Sequence, residues 1–389
     1  MVSVAVPLVT DPAAWTATSF ESAADYTMTL TERERQELIV ALHNIERGSR
    51  LARPTQLTHN DFALRELAPR LARAFEQVRS GCGFVLLRGL PRADLNFDEF
   101  AAAVWGLNLF FGYPLSQNAR GELLSEVVDA SAFEATPRMY RSSLELGLHT
   151  DVTGMLSLAC WNPAKSGGGT LLASGVTIHN EIARRAPHLL EVLYRGFHYH
   201  RLGEQGPHQE AVTPFRIPVF AVRNGQISVR SARAGFVAGH HELRIPFSDR
   251  EIEAINLFDE IAREPSNSIT FSLEAGDMVV INNYVVMHAR KAFEDHEEPE
   301  RKRRLLRIWL DAKNLRSVPA EFNHMGAQNG IPYQAGRSCN YDFQKLFREV
   351  DPSLRPLKPP VPLASAQGAG NEPEPGNPAP ASLKPEQRT

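Results

Sequence analysis

Cysteine is scarce in this chain of 389 residues: Cys82, Cys160 and Cys339 stand far apart, and no CxxC occurs. That usage excludes a disulfide framework and a cysteine-built zinc site. A dominant sign of charge is missing too. The 42 basic and 45 acidic residues leave a net charge of -3, which gives no reason to expect nucleic acid or a membrane surface as partner. No apolar run is long enough to span a bilayer. No basic residue precedes Arg33 and no continuous apolar stretch lies before it, so the N-terminus does not read as a secretory signal. What is present, 43% hydrophobic and 22% charged residues, is the balance of a globular protein, and a reducing, cytoplasmic setting fits it. Composition does not speak to oligomeric state.

The first hundred residues read as helical. In TERERQELIVALHNIERG, Thr31 and Glu34 form a capping box ahead of Leu38, Ile39, Leu42 and Ile45 at helical spacing. A second apolar stripe, Leu64, Leu67, Leu71, Phe75 and Val78, ends at Gly81. A buried strand, GFVLLRGLP, and a helix around FDEFAAAVWG follow. From about Leu123 the texture is β-rich. Asn224-Gly225 between two β-type runs predicts a type I′ hairpin, and Ser248 with Glu251 caps a helix that leads to SITFSL. Between hairpin and helix, RSARAGFVAGHHELRIP has Gly235 and Gly239 around an aromatic residue, and reads as an exposed loop near a pocket mouth. Strands interrupted by helices, without βαβ alternation, predict a mostly β fold of the antiparallel sandwich or barrel kind with helical additions. Ten of the 27 prolines fall between Pro352 and Pro385, and no aromatic residue follows Phe347, so 351–389 reads as a disordered tail.

Six of thirteen histidines have Asp or Glu two residues on: His59, His149, His179, His208, His240 and His296. His59 and His179 belong to helical patterns, His208 and His240 to expected loops, and His296 to the charged run EDHEEPERKRR. Only His149 leads into an apolar, strand-like stretch, LGLHTDVTGMLSLACWN. In an extended segment His149 and Asp151 project to one side. A third ligand candidate, His288, closes the apolar run of GDMVVINNYVVMH, in which Asp277 ends a turn. Two imidazoles and one carboxylate on one face of a metal suit non-haem Fe(II) and leave positions open, whereas a structural zinc site is closed by four protein ligands. Beyond His288, Arg303 and Arg307 lie four apart on a strand with Leu305, Leu306, Ile308 and Trp309, while Arg301, Lys302 and Arg304 read as solvated. A buried guanidinium needs an anionic partner, and its fork matches a carboxylate. The GGGT stretch, Gly167 to Thr170, allows close backbone approach and ends in a hydroxyl.

In that order, HTD at 149–151, GGGT ending at Thr170, His288 and the Arg303–Arg307 pair, the chain resembles the taurine dioxygenase-like Fe(II)/2-oxoglutarate-dependent oxygenases. The resemblance covers roughly Gly83 to Ala312. It implies a double-stranded β-helix (jelly roll), iron held by His149, Asp151 and His288, and the distal carboxylate of 2-oxoglutarate held by Thr170 and Arg303. It places Arg307 where such proteins often contact an acidic group of the prime substrate. The implied reaction couples decarboxylation of 2-oxoglutarate by O2, giving succinate and CO2, to oxidation, most often hydroxylation, of an unactivated C–H. The implied partner is a small molecule, amino-acid-like or a natural product. Asp151 argues against a halogenase, which leaves the carboxylate position to halide. Leu148 stands where a tryptophan often precedes HTD, which speaks against a taurine-type pocket. A single oxygenase domain is expected over 1–350, helical at about 30–110 with its jelly roll at about 83–312. Two other readings of the same residues are a non-catalytic jelly-roll metal sensor and a metal-dependent hydrolase.

Overall fold

The computed structural model describes residues 7–45, 50–134, 137–325 and 330–337, with a few further positions as far as Leu354. Cys339 and the proline-rich stretch expected to be a tail, apart from Leu354, lie outside the described residues.

The strands follow in chain order: β1 (Thr27–Thr29), β2 (Phe84–Arg88), β3 (Tyr113–Leu115), β4 (Ser125–Val127), β5 (Leu146–His149), β6 (Met155–Asn162), β7 (Ser166–Gly167), β8 (Thr170–Ser174), β9 (Phe220–Arg223), β10 (Gln226–Val229), β11 (Ser268–Phe271), β12 (Met278–Asn282), β13 (Val286–Arg290), β14 (Phe293–Glu294) and β15 (Arg304–Asp311). A seven-stranded sheet has the order β1-β2-β12-β6-β15-β3, with β4 also on β15, and a four-stranded sheet has the order β11-β8-β13-β5. Apart from the parallel β1–β2 pair, the pairings in both are antiparallel. This is the mostly β, jelly-roll core that the sequence predicts.

The central strands β2 and β12 of the larger sheet are almost wholly apolar because both faces are covered. Phe84, Leu86, Val279, Ile281, Leu305 and Trp309 share one buried cluster with Leu172, Ala173 and Val286 of the smaller sheet. The alternate residues Val85, Leu87, Met278, Val280, Leu306 and Ile308 join a second cluster with the N-terminal helices α1 (Glu32–Asn44), α2 (Leu67–Ser80) and α3 (Phe97–Asn108). Thr31 caps α1 through the expected box, with its N–H donating to Glu34 Oε2 at 2.7 Å. Four more helices follow: α4 (Gly175–Arg185), α5 (Leu190–Arg195), α6 (Arg233–Leu243) and α7 (Asp249–Arg263), the last capped by Ser248 as expected. The hairpin β9–β10 turns at Asn224 and Gly225, with φ of 52° and 75°. Among the described residues no helix is long and apolar enough to cross a membrane.

Three local expectations are corrected. The run GDMVVINNYVVMH is two strands on different sheets, β12 and β13, because Asn282 closes a turn: its side chain accepts from the Tyr284 N–H at 3.0 Å and its carbonyl from Val285 at 3.1 Å. Likewise His149 ends β5, and the apolar stretch after it is a separate strand of the other sheet, β6. The expected loop at RSARAGFVAGHHELRIP is largely α6, and His240 is helical within it. Phe236 is 2% exposed and stacks on Phe197 at 4.8 Å. Gly239 is there for close approach, since a Cβ would sit 2.4 Å from the His198 carbonyl oxygen.

Candidate metal centre and substrate cavity

The triad is assembled by strand register. His288 on β13 is paired directly with His149 on β5, so both imidazoles leave the same face of the smaller sheet. Their ring centroids are 4.3 Å apart, and His149 Nε2 lies 3.7 Å from Asp151 Oδ1. One ligand atom from each of the three residues falls within 4.8 Å of the others, the spacing of donors that share one ion.

Neighbouring groups hold these donors in place. The Gly147 carbonyl accepts from His149 Nδ1 at 2.9 Å, which fixes that proton and leaves Nε2 as the lone-pair donor. The Trp309 indole donates to Asp151 Oδ2 at 2.8 Å, Asn283 Oδ1 accepts from the Asp151 N–H at 3.3 Å, and Arg230 donates to the Asp151 carbonyl. Burial works to raise the Asp151 carboxyl. The His149 ring beside it, with the charge of Arg307, outweighs this and holds it well below the usual carboxylate range. Burial, with His149 adding to it, pushes His288 down to about 3. The site thus offers neutral imidazole and ionised carboxylate, the forms that bind a metal.

Further along the same face, Thr170 on β8 is registered with Arg290 on β13, two residues beyond His288. One repeat of a strand is about 6.8 Å, so this pair sits a short step from the metal donors. Arg303 closes that end. It is 6% exposed, its guanidinium lies 4.9 Å from the Phe293 ring centroid, and Nη1 has no partner among the described residues. Gly168, with φ of 69°, leaves room here, because a Cβ would come within 3.4 Å of Arg303 Nε. Arg290 covers the other side of Phe293's neighbourhood at 5.0 Å and donates to the carbonyls of Tyr140, Ser142 and Leu144. Burial, with the charge of Arg303 adding to it, pushes Arg290 down to about 9. A buried cation with an orphaned donor suits one end of a small dicarboxylate.

Arg307 lies four residues, or about 13 Å of strand, from Arg303 and serves the other end of the interior. Its Nε donates to Gln117 Oε1 at 2.7 Å, and its guanidinium lies 4.0 Å from the Tyr140 ring centroid. Here a cavity of about 220 Å³ opens, bordered by His149, Asp151, Arg307, Trp309 and the start of α6. Arg303 and Thr170 are not among its walls. Arg304, expected to be solvated, instead pairs with Glu126 at 2.7 Å and stacks on Phe97, whereas exposed Arg301 keeps to Glu298.

Sequence reasoning missed Trp309, Gln117, Tyr140 and Arg290. Trp309 carried a signal, since alternation puts it on the face of Arg303 and Arg307. Arg290 carried the same kind of signal, two residues after His288. Gln117 and Tyr140 come from irregular segments that no periodicity connects to the site.

Fold and triad together define a non-haem iron oxygenase that works with Fe(II), 2-oxoglutarate and O2. The family profile for taurine catabolism dioxygenase TauD, TfdA family, matches residues 50–309, and the chain belongs to that family. FR-33289 synthase of Streptomyces rubellomurinus (strain ATCC 31215) is 30% identical over 331 residues, which span 83% of this chain and 96% of that protein. Asparagine oxygenase, solved with Fe(II), 2S,3S-3-hydroxyasparagine and succinate, superposes with a TM-score of 0.55 at 18% identity, over 73% of this chain and 93% of that one. The non-haem iron oxygenase OrfP, solved with Fe and alpha-ketoglutaric acid, gives a TM-score of 0.55 at 12% identity, over 74% of this chain and 94% of that one.

Proposed function

We propose that this oxygenase hydroxylates an unactivated C–H of a small, amino-acid-like or natural-product substrate, with His149, Asp151 and His288 as its iron ligands. Thr170 and Arg303 hold the distal carboxylate of 2-oxoglutarate, and Arg307 meets the prime substrate. The chain up to about residue 350 acts as one oxygenase domain in a cytoplasmic setting. Bound iron with 2-oxoglutarate and O2 supplies the oxidising power, and succinate and CO2 leave as co-products. The chain's own part is to orient and to exclude water. Gly147 and Trp309 fix the donor atoms of His149 and Asp151. Arg303 sets the depth of the co-substrate. Arg307, Tyr140 and Gln117 fix one end of the substrate against the cavity wall.

The observation that carries this reading is the buried Nη1 of Arg303, without a partner among the described residues, on the same interior face as Arg307 and Trp309. For a metal-dependent hydrolase it would be incidental. Relatives support the substrate class: one is named as a synthase, and asparagine oxygenase is seen with a hydroxylated amino acid. The test is a screen of amino acids and small natural-product acids for stimulated succinate formation under Fe(II), O2 and 2-oxoglutarate. The reading predicts a substrate-dependent rise with a product heavier by one oxygen. Turnover with zinc and without 2-oxoglutarate would favour a hydrolase instead.

A further inference from the structure

The cavity beside the triad carries more positive charge than these roles use. Six arginines border it, Arg138, Arg201, Arg230, Arg233, Arg263 and Arg307, against four carboxylates. Three of the pairs are settled: Arg233 with Asp259 at 2.6 Å, Arg138 with Glu204 at 3.2 Å and Arg263 with Glu145 at 3.5 Å. The fourth carboxylate is Asp151, committed to the triad. Two positive charges remain in excess, and Fe(II) with dianionic 2-oxoglutarate leaves that excess unchanged. His324 does not add to it, since burial, helped by Arg230 and Arg201, pushes it down to about 3.

Arg201, Arg230 and Arg307 are held by uncharged oxygens. Arg307 has Gln117, and Arg201 has the carbonyls of His324, Glu210 and Val212. Arg230 is the most confined. It is 1% exposed, lies 5.2 Å from the Phe322 ring centroid and 5.7 Å from that of Tyr284, and donates to the Asp151 carbonyl. Its Nε has no acceptor among the described residues. A guanidinium so far from water, bordering a cavity and without a carboxylate of its own, is strongly unfavourable until an anion enters.

We infer that Arg230, backed by Arg201, forms a second oxyanion subsite in this cavity, so that the prime substrate brings two negative charges, one to Arg307 and one to Arg230. This rests on the oxygenase reading above, which gives Arg307 and Asp151 their roles. The recognised chemistry is a carboxylate or phosphate-type oxyanion at each end. Because Arg230 also holds the Asp151 backbone, a bound oxyanion there is tied through one side chain to a metal ligand.

The test uses Fe(II)- and 2-oxoglutarate-loaded enzyme without O2, titrated calorimetrically with inorganic phosphate, and separately with acetate, at constant ionic strength. The wild type should take up two phosphates, or two acetates if the subsites are built for carboxylate. Arg230→Met should weaken one site by about ten- to hundred-fold and leave the other, while Arg307→Met does the reverse. Arg230→Lys should recover the first site in part. Saturation of the wild type at a single oxyanion overturns the proposal without recourse to any variant, and so does equal binding by wild type and Arg230→Met. If the wild type fails to bind 2-oxoglutarate in the presence of Fe(II), it is the oxygenase reading that falls, and the phosphate count still decides the subsite.

Discussion

Replacing Arg303 by methionine should move two measurements in opposite directions. Methionine keeps an apolar stem against Phe293 but removes the cation. In the free protein that cation is buried and its Nη1 has no partner among the described residues, so its loss relieves desolvation, and the denaturant midpoint should hold or rise. In the complex, on the proposed reading, the same change deletes a charge-assisted contact to the distal carboxylate of 2-oxoglutarate. Such a contact contributes about 1.5–3 kcal/mol, which is roughly ten- to hundred-fold in Kd. Thr170 remains, so binding weakens without vanishing. The assay is an anaerobic titration of 2-oxoglutarate into Fe(II)-loaded protein, beside urea unfolding of the metal-free form. Arg307→Met is the matched control, because it removes a cation some 13 Å further along the same strand. It should leave 2-oxoglutarate affinity within about two-fold while lowering the ratio of product to succinate. If Arg303→Met bound 2-oxoglutarate as the wild type does, or if the two variants exchanged behaviours, the roles proposed for the two arginines would be wrong.

His149→Ala, Asp151→Ala and His288→Ala should each abolish turnover and weaken Fe(II) binding, and a His288→Ala protein with native iron affinity would refute its role as ligand. Trp309→Phe keeps the ring but removes the hydrogen bond to Asp151, so Fe(II) affinity should fall about ten-fold, read by competition with a chelator. Gly239→Ala drives a Cβ into the His198 carbonyl and should cost about 1–3 kcal/mol in urea unfolding, whereas a loop-like segment would tolerate it. His240, 1% exposed, is pushed down to about 4, chiefly by burial with the Arg216 charge next. Below the unfolded value of about 6.5 the unfolded chain takes up a proton that the folded one refuses, so stability should fall as the pH drops from about 6.5 towards 4. The contribution of His240 over the first 1.5 units is at most about 2 kcal/mol, and His240→Phe should flatten the slope of urea midpoint against pH.

The three residues that converge as a candidate metal site were legible because His149 and His288 sit on paired strands and Asp151 follows two residues after His149. Spacing and order along the chain were enough to gather His149, Asp151 and His288. Caps at Thr31 and Ser248 and the Asn224-Gly225 turn were legible because their signals are local. Where a glycine does two jobs, the reading failed: Gly235 and Gly239 resemble loop residues, yet they sit in α6 for close approach to Tyr199 and His198. The break at Asn282 was hidden because asparagine within an apolar run looks like an interruption rather than a change of sheet. Arg230 and Arg290 were two arginines among many. Only tertiary structure separates a buried guanidinium from a solvated one.

Arg303 stands just ahead of β15, and Arg307 and Trp309 follow on its inner face, so in the proposed reading the co-substrate end, the substrate end and the partner of the Asp151 carboxylate are spaced along one strand like marks on a ruler. A slip of one residue against β6 would turn all three outward at once and bring Leu306 and Ile308 in. No graded failure is available to such an arrangement. Changes of length are therefore expected to collect in the exposed stretch before it, Glu297 to Lys302, where an added residue alters no register.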